Sequence, residues 1–211
     1  MAGQERQVRL TQIAIIGTGR MAQALGLAWK NAGHGVTFGS RSPSVRSASD
    51  VGVPVKAHRD AIRGSEVVVL ALPYRAVEGT ARALASELTG KLVVDISNPF
   101  DALPDNRVSG AEITARALGP GARVIAAFKD NFAITLGRPR DEHGRQRDVH
   151  YAGDDETAKR TFARLVTDMG FTPVDCGPLR NARVLDAMVP LMIELDGRYQ
   201  GKGQSSWKFL A

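Results

Sequence analysis

The chain has 211 residues, 43% apolar and 24% charged, with a formal net charge of +6. That length supports one domain with a modest extension, and lysines and arginines scattered along the chain exclude a nucleic-acid surface while suiting small anionic ligands. The longest unbroken apolar run, 67–72, is too short to span a bilayer, the opening residues lack the apolar stretch of a secretion signal, and Cys176 has no second cysteine to pair with, so a cytoplasmic protein without a membrane partner is expected.

Hydrophobic patterning predicts a strand at 13–16, a helix over 21–32 closed by Gly33, and a second strand at 36–39. A short helix and a possible strand at 53–56 follow, then a helical turn around Asp60 and a buried strand at 67–71. Pro73 opens a helix reaching about residue 88, where Gly90 ends it. Strands at 92–95 and 124–127 flank a helix over 112–118. Apolar strands alternating with helices predict a doubly wound, mostly parallel α/β sheet of Rossmann type covered on both faces, with a small α/β C-terminal extension. The Arg-rich stretch 138–147 reads as an exposed loop or mobile flap. Beyond it come a strand at 149–152, a helix to Met169 with an acidic start, a strand at 172–175 and a helix over about 181–195. The chain therefore divides into 1–127, a dinucleotide-binding unit, and 128–211, a smaller region for a second substrate and dimerisation.

Ile13 to Ile16 run into Gly17-Thr18-Gly19-Arg20-Met21-Ala22, a Gly-x-Gly-x-x-Ala turn between a strand and a helix. Gly17 permits the tight turn, Gly19 lets the backbone approach a pyrophosphate, and Ala22 lets the helix pack against the strand. The helix start offers free N–H groups to phosphates. The second strand ends in Ser40-Arg41-Ser42, where NAD-binding chains place an acid. A guanidinium flanked by hydroxyls suits a 2′-phosphate instead, with Arg46 as a second positive charge, so NADP is the expected cofactor. Ligands of such sheets bind beyond the strands' carboxyl ends. That rule nominates Leu72-Pro73-Tyr74, Asn98-Pro99 with Ser97, and the segment after Ala127, Phe128-Lys129-Asp130-Asn131.

The four histidines show no metal-ligand spacing, and Asp154-Asp155 stands at a helix start where capping is the expected role, so no metal site is expected. Cys176 has no His–acid partner near it in sequence and reads as structural. Leu185, Met188, Val189, Met192 and Ile193 form an apolar stripe that serves either an internal core or a homodimer.

The chain resembles the coenzyme F420-dependent NADP oxidoreductases from about residue 12 to its end. Ile16-Gly17-Thr18-Gly19, Gly39-Ser40-Arg41, Ala152-Gly153-Asp154-Asp155, Asp175-Cys176-Gly177-Pro178-Leu179 and the terminal Lys208-Phe209-Leu210 carry the resemblance. It implies reversible hydride transfer between NADPH and the deazaflavin ring of coenzyme F420, with Thr18, Ser40 and Arg41 on the NADP phosphates, and a homodimer. Where F420-using relatives typically carry His-Thr or Asn-Thr, this chain has Lys129-Asp130. Two other readings stay open. One is an NADPH-dependent reductase of an imine, enone or carbonyl, with Lys129 as proton donor. The other is an NADPH-binding redox sensor.

Overall fold

The computed structural model describes residues 9–43, 51–100 and 107–210. The strands are β1 (Gln12–Ile16), β2 (Gly35–Ser40), β3 (Val55–Ala57), β4 (Val67–Leu70), β5 (Leu92–Asp95), β6 (Arg123–Ala127), β7 (Asp148–Gly153) and β8 (Thr172–Asp175). They form one sheet in the order β3-β2-β1-β4-β5-β6-β7-β8. The first six are parallel and wound as a Rossmann sheet, with the switch of strand order between β1 and β4. The extension continues the same sheet: β7 runs antiparallel to β6, and β8 parallel to β7.

Alternate strand residues feed opposite faces, which is why these strands read as unbroken apolar runs. Ile13, Ile15, Phe38, Val69, Val94 and Ile125 pack under α1 (Arg20–Asn31) and α6 (Glu156–Asp168). Ala14, Ile16, Val68, Leu70 and Val93 pack under α2 (His58–Arg63), α3 (Tyr74–Ala83), α4 (Ala85–Leu88), α5 (Gly110–Leu118) and α7 (Ala182–Arg198). Helix α1 lies so close to β2 that a Cβ at Gly26 would sit 2.5 Å from Phe38 Cζ. Gly26 therefore shares with the fully buried Ala22 the job of letting helix and sheet approach. The single helix expected over 73–88 is broken at Leu84, a kink that turns both Leu84 and Leu88 into the core.

Two stretches that carried the resemblance bind each other. Gly153 N–H donates to Gly177 O at 3.0 Å, and Leu179 N–H to Asp154 Oδ1 at 2.8 Å. Asp155 caps α6 through Ala158 N–H at 2.6 Å. These acids thus set how α7 leaves the sheet. The stretch 138–147 is mostly exposed, as one of the two expectations for it had it, and is held by specific contacts. Arg140 and Gln146 form an antiparallel bridge, Asp141 is bound by Arg145, and Arg147 is 6% exposed, donating to Gln204 O and Ser206 Oγ. Of the apolar stripe on α7, Leu185, Val189 and Met192 are buried within the chain, whereas Ile193 faces out.

Ser109 and Glu112 form a reciprocal capping box at the start of α5, and Glu112 also takes a forked ion pair from Arg183 of α7 at 2.6 and 2.8 Å. The Arg183 hydrogen bonds, opposed by partial burial and aided by Ser109, hold the Glu112 carboxyl down to about 2, against an ordinary 4.5. A depressed carboxyl stabilises the fold above its unfolded value, and that stabilisation disappears as pH falls from about 4.5 to 2. Glu112→Gln should lower stability by about 1–3 kcal/mol near neutrality. In urea titrations the gap to wild type should close across that acid window; a gap independent of pH would contradict the assignment.

Candidate active site

At the carboxyl end of β1 the chain turns at Gly17, whose φ of 120° suits only glycine and whose Cβ would lie 2.2 Å from Ala71 O. Gly19 is the N-cap of α1, with open space where its side chain would be, so the helix's first N–H groups face a cleft. This cleft has a volume of about 570 Å³ and is lined by Gly17, Thr18, Gly19, Ser40, Arg41, Leu72 and Pro73. His58, which the sequence reading missed, lines it too; it follows a strand as short as β3, the one signal that could have marked it. Burial, with the Arg41 charge beside it, pushes the His58 imidazole below its ordinary value, so it is a neutral hydrogen-bonding group at neutral pH. Ser40 Oγ accepts Ser42 N–H at 3.1 Å and fixes the corner that presents Arg41. Arg46 lies outside the described residues.

The cleft shares Gly19, Ala71, Leu72 and Pro73 with a second of about 550 Å³, which adds Arg20, Met21, Tyr74, Asn98 and Phe100. Burial and the charges of Asp186 and Asp95 raise the Tyr74 hydroxyl, which stays protonated and able to donate. Arg20, Met21, Ile96, Asn98 and Phe100 are shared in turn with a third cavity of about 380 Å³, mostly apolar, whose lining includes Phe128, Phe132, Ile134, Val189, Met192 and Ile193 together with Lys129, Asp130, Asn131 and Lys202. Asn98 Nδ2 donates to Lys129 O at 3.0 Å, and its Oδ1 is buried without a partner among the described residues. That is an acceptor at the junction, fitted to a carboxamide N–H such as that of nicotinamide.

Phe128 carries the chain off β6 in the left-handed region, at φ 55°, a conformation costing about 1–2 kcal/mol for a side chain with a Cβ. Its ring stacks edge-on to Trp29 at 5.9 Å and Phe162 at 5.6 Å, which anchors the strain. The kink swings Lys129 under the strand ends. The Lys129 ammonium is fully buried, 3.4 Å from both Asp95 and Asp186, and donates to Ser97 O. Asp95 also accepts from Ser97 Oγ at 2.7 Å and Thr114 Oγ1 at 2.6 Å, and Asp186 accepts Gly110 N–H at 2.9 Å. Lys129 lines the apolar cavity, with its ammonium engaged by the two carboxylates and the Ser97 carbonyl. Of the other nominated residues, Pro99 and Ala127 are buried and line none of the three cavities; at the end of β6 the wall is Phe128.

Because β7 is antiparallel, its first residues reach the same edge. Asp130 meets His150 Nδ1 at 2.8 Å, and Asn131 Nδ2 donates to Asp148 O at 3.0 Å. Burial pulls the His150 imidazole down, but the Asp130 hydrogen bond and the Asp130 and Asp148 charges overcome it and leave it above its ordinary value. Burial raises the Cys176 thiol, which fits a structural side chain.

The sequence profile of the family described as NADP oxidoreductase, coenzyme F420-dependent, matches residues 12–99. The F420-dependent NADP reductase of Methanothermobacter thermautotrophicus is 30% identical over 218 residues, an alignment covering 91% of this chain and 92% of that protein. The chain belongs to this family of NADP oxidoreductases. The metalloreductase STEAP3 of Rattus norvegicus is 33% identical over 186 residues; that match covers 86% of this chain, which spans only 37% of the rat protein. In structure, a candidate F420-dependent NADP-reductase from Arthrobacter sp. FB24 superposes with a TM-score of 0.86 at 28% identity, covering 95% of this chain and all of that one.

Two outcomes follow from this geometry. Arg41→Ala should raise the Kd for NADPH about 10- to 100-fold in calorimetry while leaving that for NADH within about twofold; equal losses for both would remove Arg41 from the 2′-phosphate. Lys129→Met should cost about 3–5 kcal/mol in urea denaturation by stranding two buried carboxylates, and adding Asp186→Leu should recover part of it. No recovery would mean that the cluster is not coupled.

Proposed function

We propose that the protein transfers a hydride between NADP(H) and the deazaflavin of coenzyme F420. One observation carries this reading: the dinucleotide cleft from Arg41 to Asn98 adjoins, across shared lining residues, an apolar cavity that can hold a second flat ring. Family membership and the unmet Asn98 acceptor at the junction support it. Hydride leaves the dihydronicotinamide C4 as a carbon–hydrogen bond forms at the deazaflavin C5, and one proton from water completes the reduced deazaflavin. Both partners are hydride carriers, so the protein's task is to hold donor and acceptor carbons roughly 3–3.5 Å apart with water excluded.

Residues 1–127 serve the dinucleotide in this reading. The region 128–211 supplies the second ring's cavity from Phe128, Phe132, Val189 and Met192. The exposed Val184, Leu191 and Ile193 on α7 suit the expected homodimer.

Mixing the protein with NADPH and coenzyme F420 should bleach the deazaflavin absorbance in proportion to NADPH consumed, and Met192→Trp, which fills the apolar cavity, should slow this at least tenfold with NADPH binding intact. Unchanged deazaflavin absorbance at micromolar protein would end the proposal.

A further inference from the structure

A second, polar cleft adjoins the apolar cavity. They share Lys202, and the polar cleft, of about 520 Å³, is also lined by Asp141, Glu142, Arg145, Arg147, Gln204 and Ser206 among others. In that cleft Arg145 is engaged by Asp141 at 2.7 Å, and Arg147 by Gln204 O at 2.7 Å and Ser206 Oγ at 2.9 Å. Lys202 has no hydrogen-bond or ion-pair partner among the described residues. Its ammonium is the available positive charge where the apolar chamber meets the polar one.

The loop that carries Lys202 is built to put it there. Asp196, on the last turn of α7, accepts Gly203 N–H at 2.8 Å and Ser205 N–H at 3.2 Å, while its own carbonyl takes Gly201 N–H at 2.7 Å. A Cβ at Gly201 would lie 2.3 Å from both the Asp196 carboxylate and Ser205 Oγ, so the turn closes directly on that acid. The Ser205 hydrogen bond, set against slight burial and aided by the loop's N–H groups, keeps the Asp196 carboxyl below its ordinary value. Gln200 and Lys202 sit at φ 56° and 54°, left-handed conformations that side chains rarely adopt and that persist where surrounding contacts impose them. Arg138 and Arg147 then pin Gln204 from the opposite wall.

Resting on the hydride-transfer reading above, we propose that the second-substrate site has two chambers and that Lys202, at their junction, selects a deazaflavin whose side chain is anionic. The ring lies in the apolar chamber, and the phosphate and carboxylates of the chain lead past Lys202 into the polar cleft. Asp196 is a positioning residue for this contact.

The test compares two hydride acceptors under NADPH: coenzyme F420, and the same deazaflavin core on an uncharged ribityl chain. Lys202→Ala should lower the ratio of kcat/KM for F420 over the uncharged acceptor by about three- to tenfold, and Lys202→Arg should restore it, as for a partly exposed ion pair. The wild-type ratio should also fall with added salt, more steeply than that of Lys202→Ala. A Lys202→Ala ratio within twofold of wild type, or equal losses on both acceptors, overturns the proposal. If wild type reduces neither acceptor while still binding NADPH, the hydride-transfer reading itself fails and this inference falls with it.

Discussion

A single ammonium between two carboxylates, all three shut away from water, holds the working edge of this molecule together. Lys129 comes from the loop after β6, Asp95 from the end of β5, and Asp186 from α7, so the ion cluster joins the Rossmann sheet to the helix that walls the second cavity. Such burial is costly and is repaid only when the remaining lone pairs are filled. Ser97, Thr114 and the Gly110 N–H fill most of them. Burial pushes the Asp186 carboxyl up while the Lys129 charge pulls it back, and the upward push prevails. The cluster fixes the backbone that carries Asn98 and Phe128, and those two residues stand where the dinucleotide cleft meets the apolar cavity.

The antiparallel β7 has an equally specific consequence. A parallel seventh strand would bring its carboxyl end to this edge; the reversed one delivers Asp148 and His150 instead. They tie down Asn131 and Asp130 on one side, and Asp148 takes Lys208 and the Phe209 N–H of the C-terminal segment on the other. The terminal Lys208-Phe209-Leu210 thus has a structural reason to be where it is. The clefts and the cavity lie next to one another, each neighbouring pair sharing lining residues.

Much of the architecture was written in local pattern. Strand and helix periods, the Gly17–Gly19 turn and the acid-free corner at Ser40-Arg41 are short-range features, set by backbone sterics and by the charge of one or two neighbouring side chains. The order of the parallel strands follows from right-handed crossovers between such elements. What periodicity could not reveal was the partner of each buried charge. Lys129 read as a candidate proton donor, and Arg147 as part of an exposed loop or mobile flap, with no sign of the partners Asp95 and Asp186 or Gln204 and Ser206, which lie tens of residues away and meet them only after the chain is packed. His58 and Lys202 were hidden for the same reason: a single side chain at the mouth of a cavity leaves no repeat in the sequence. Local sterics and hydrophobic period travel with the residues themselves, whereas ion pairing and cavity walls exist only between segments that folding brings together.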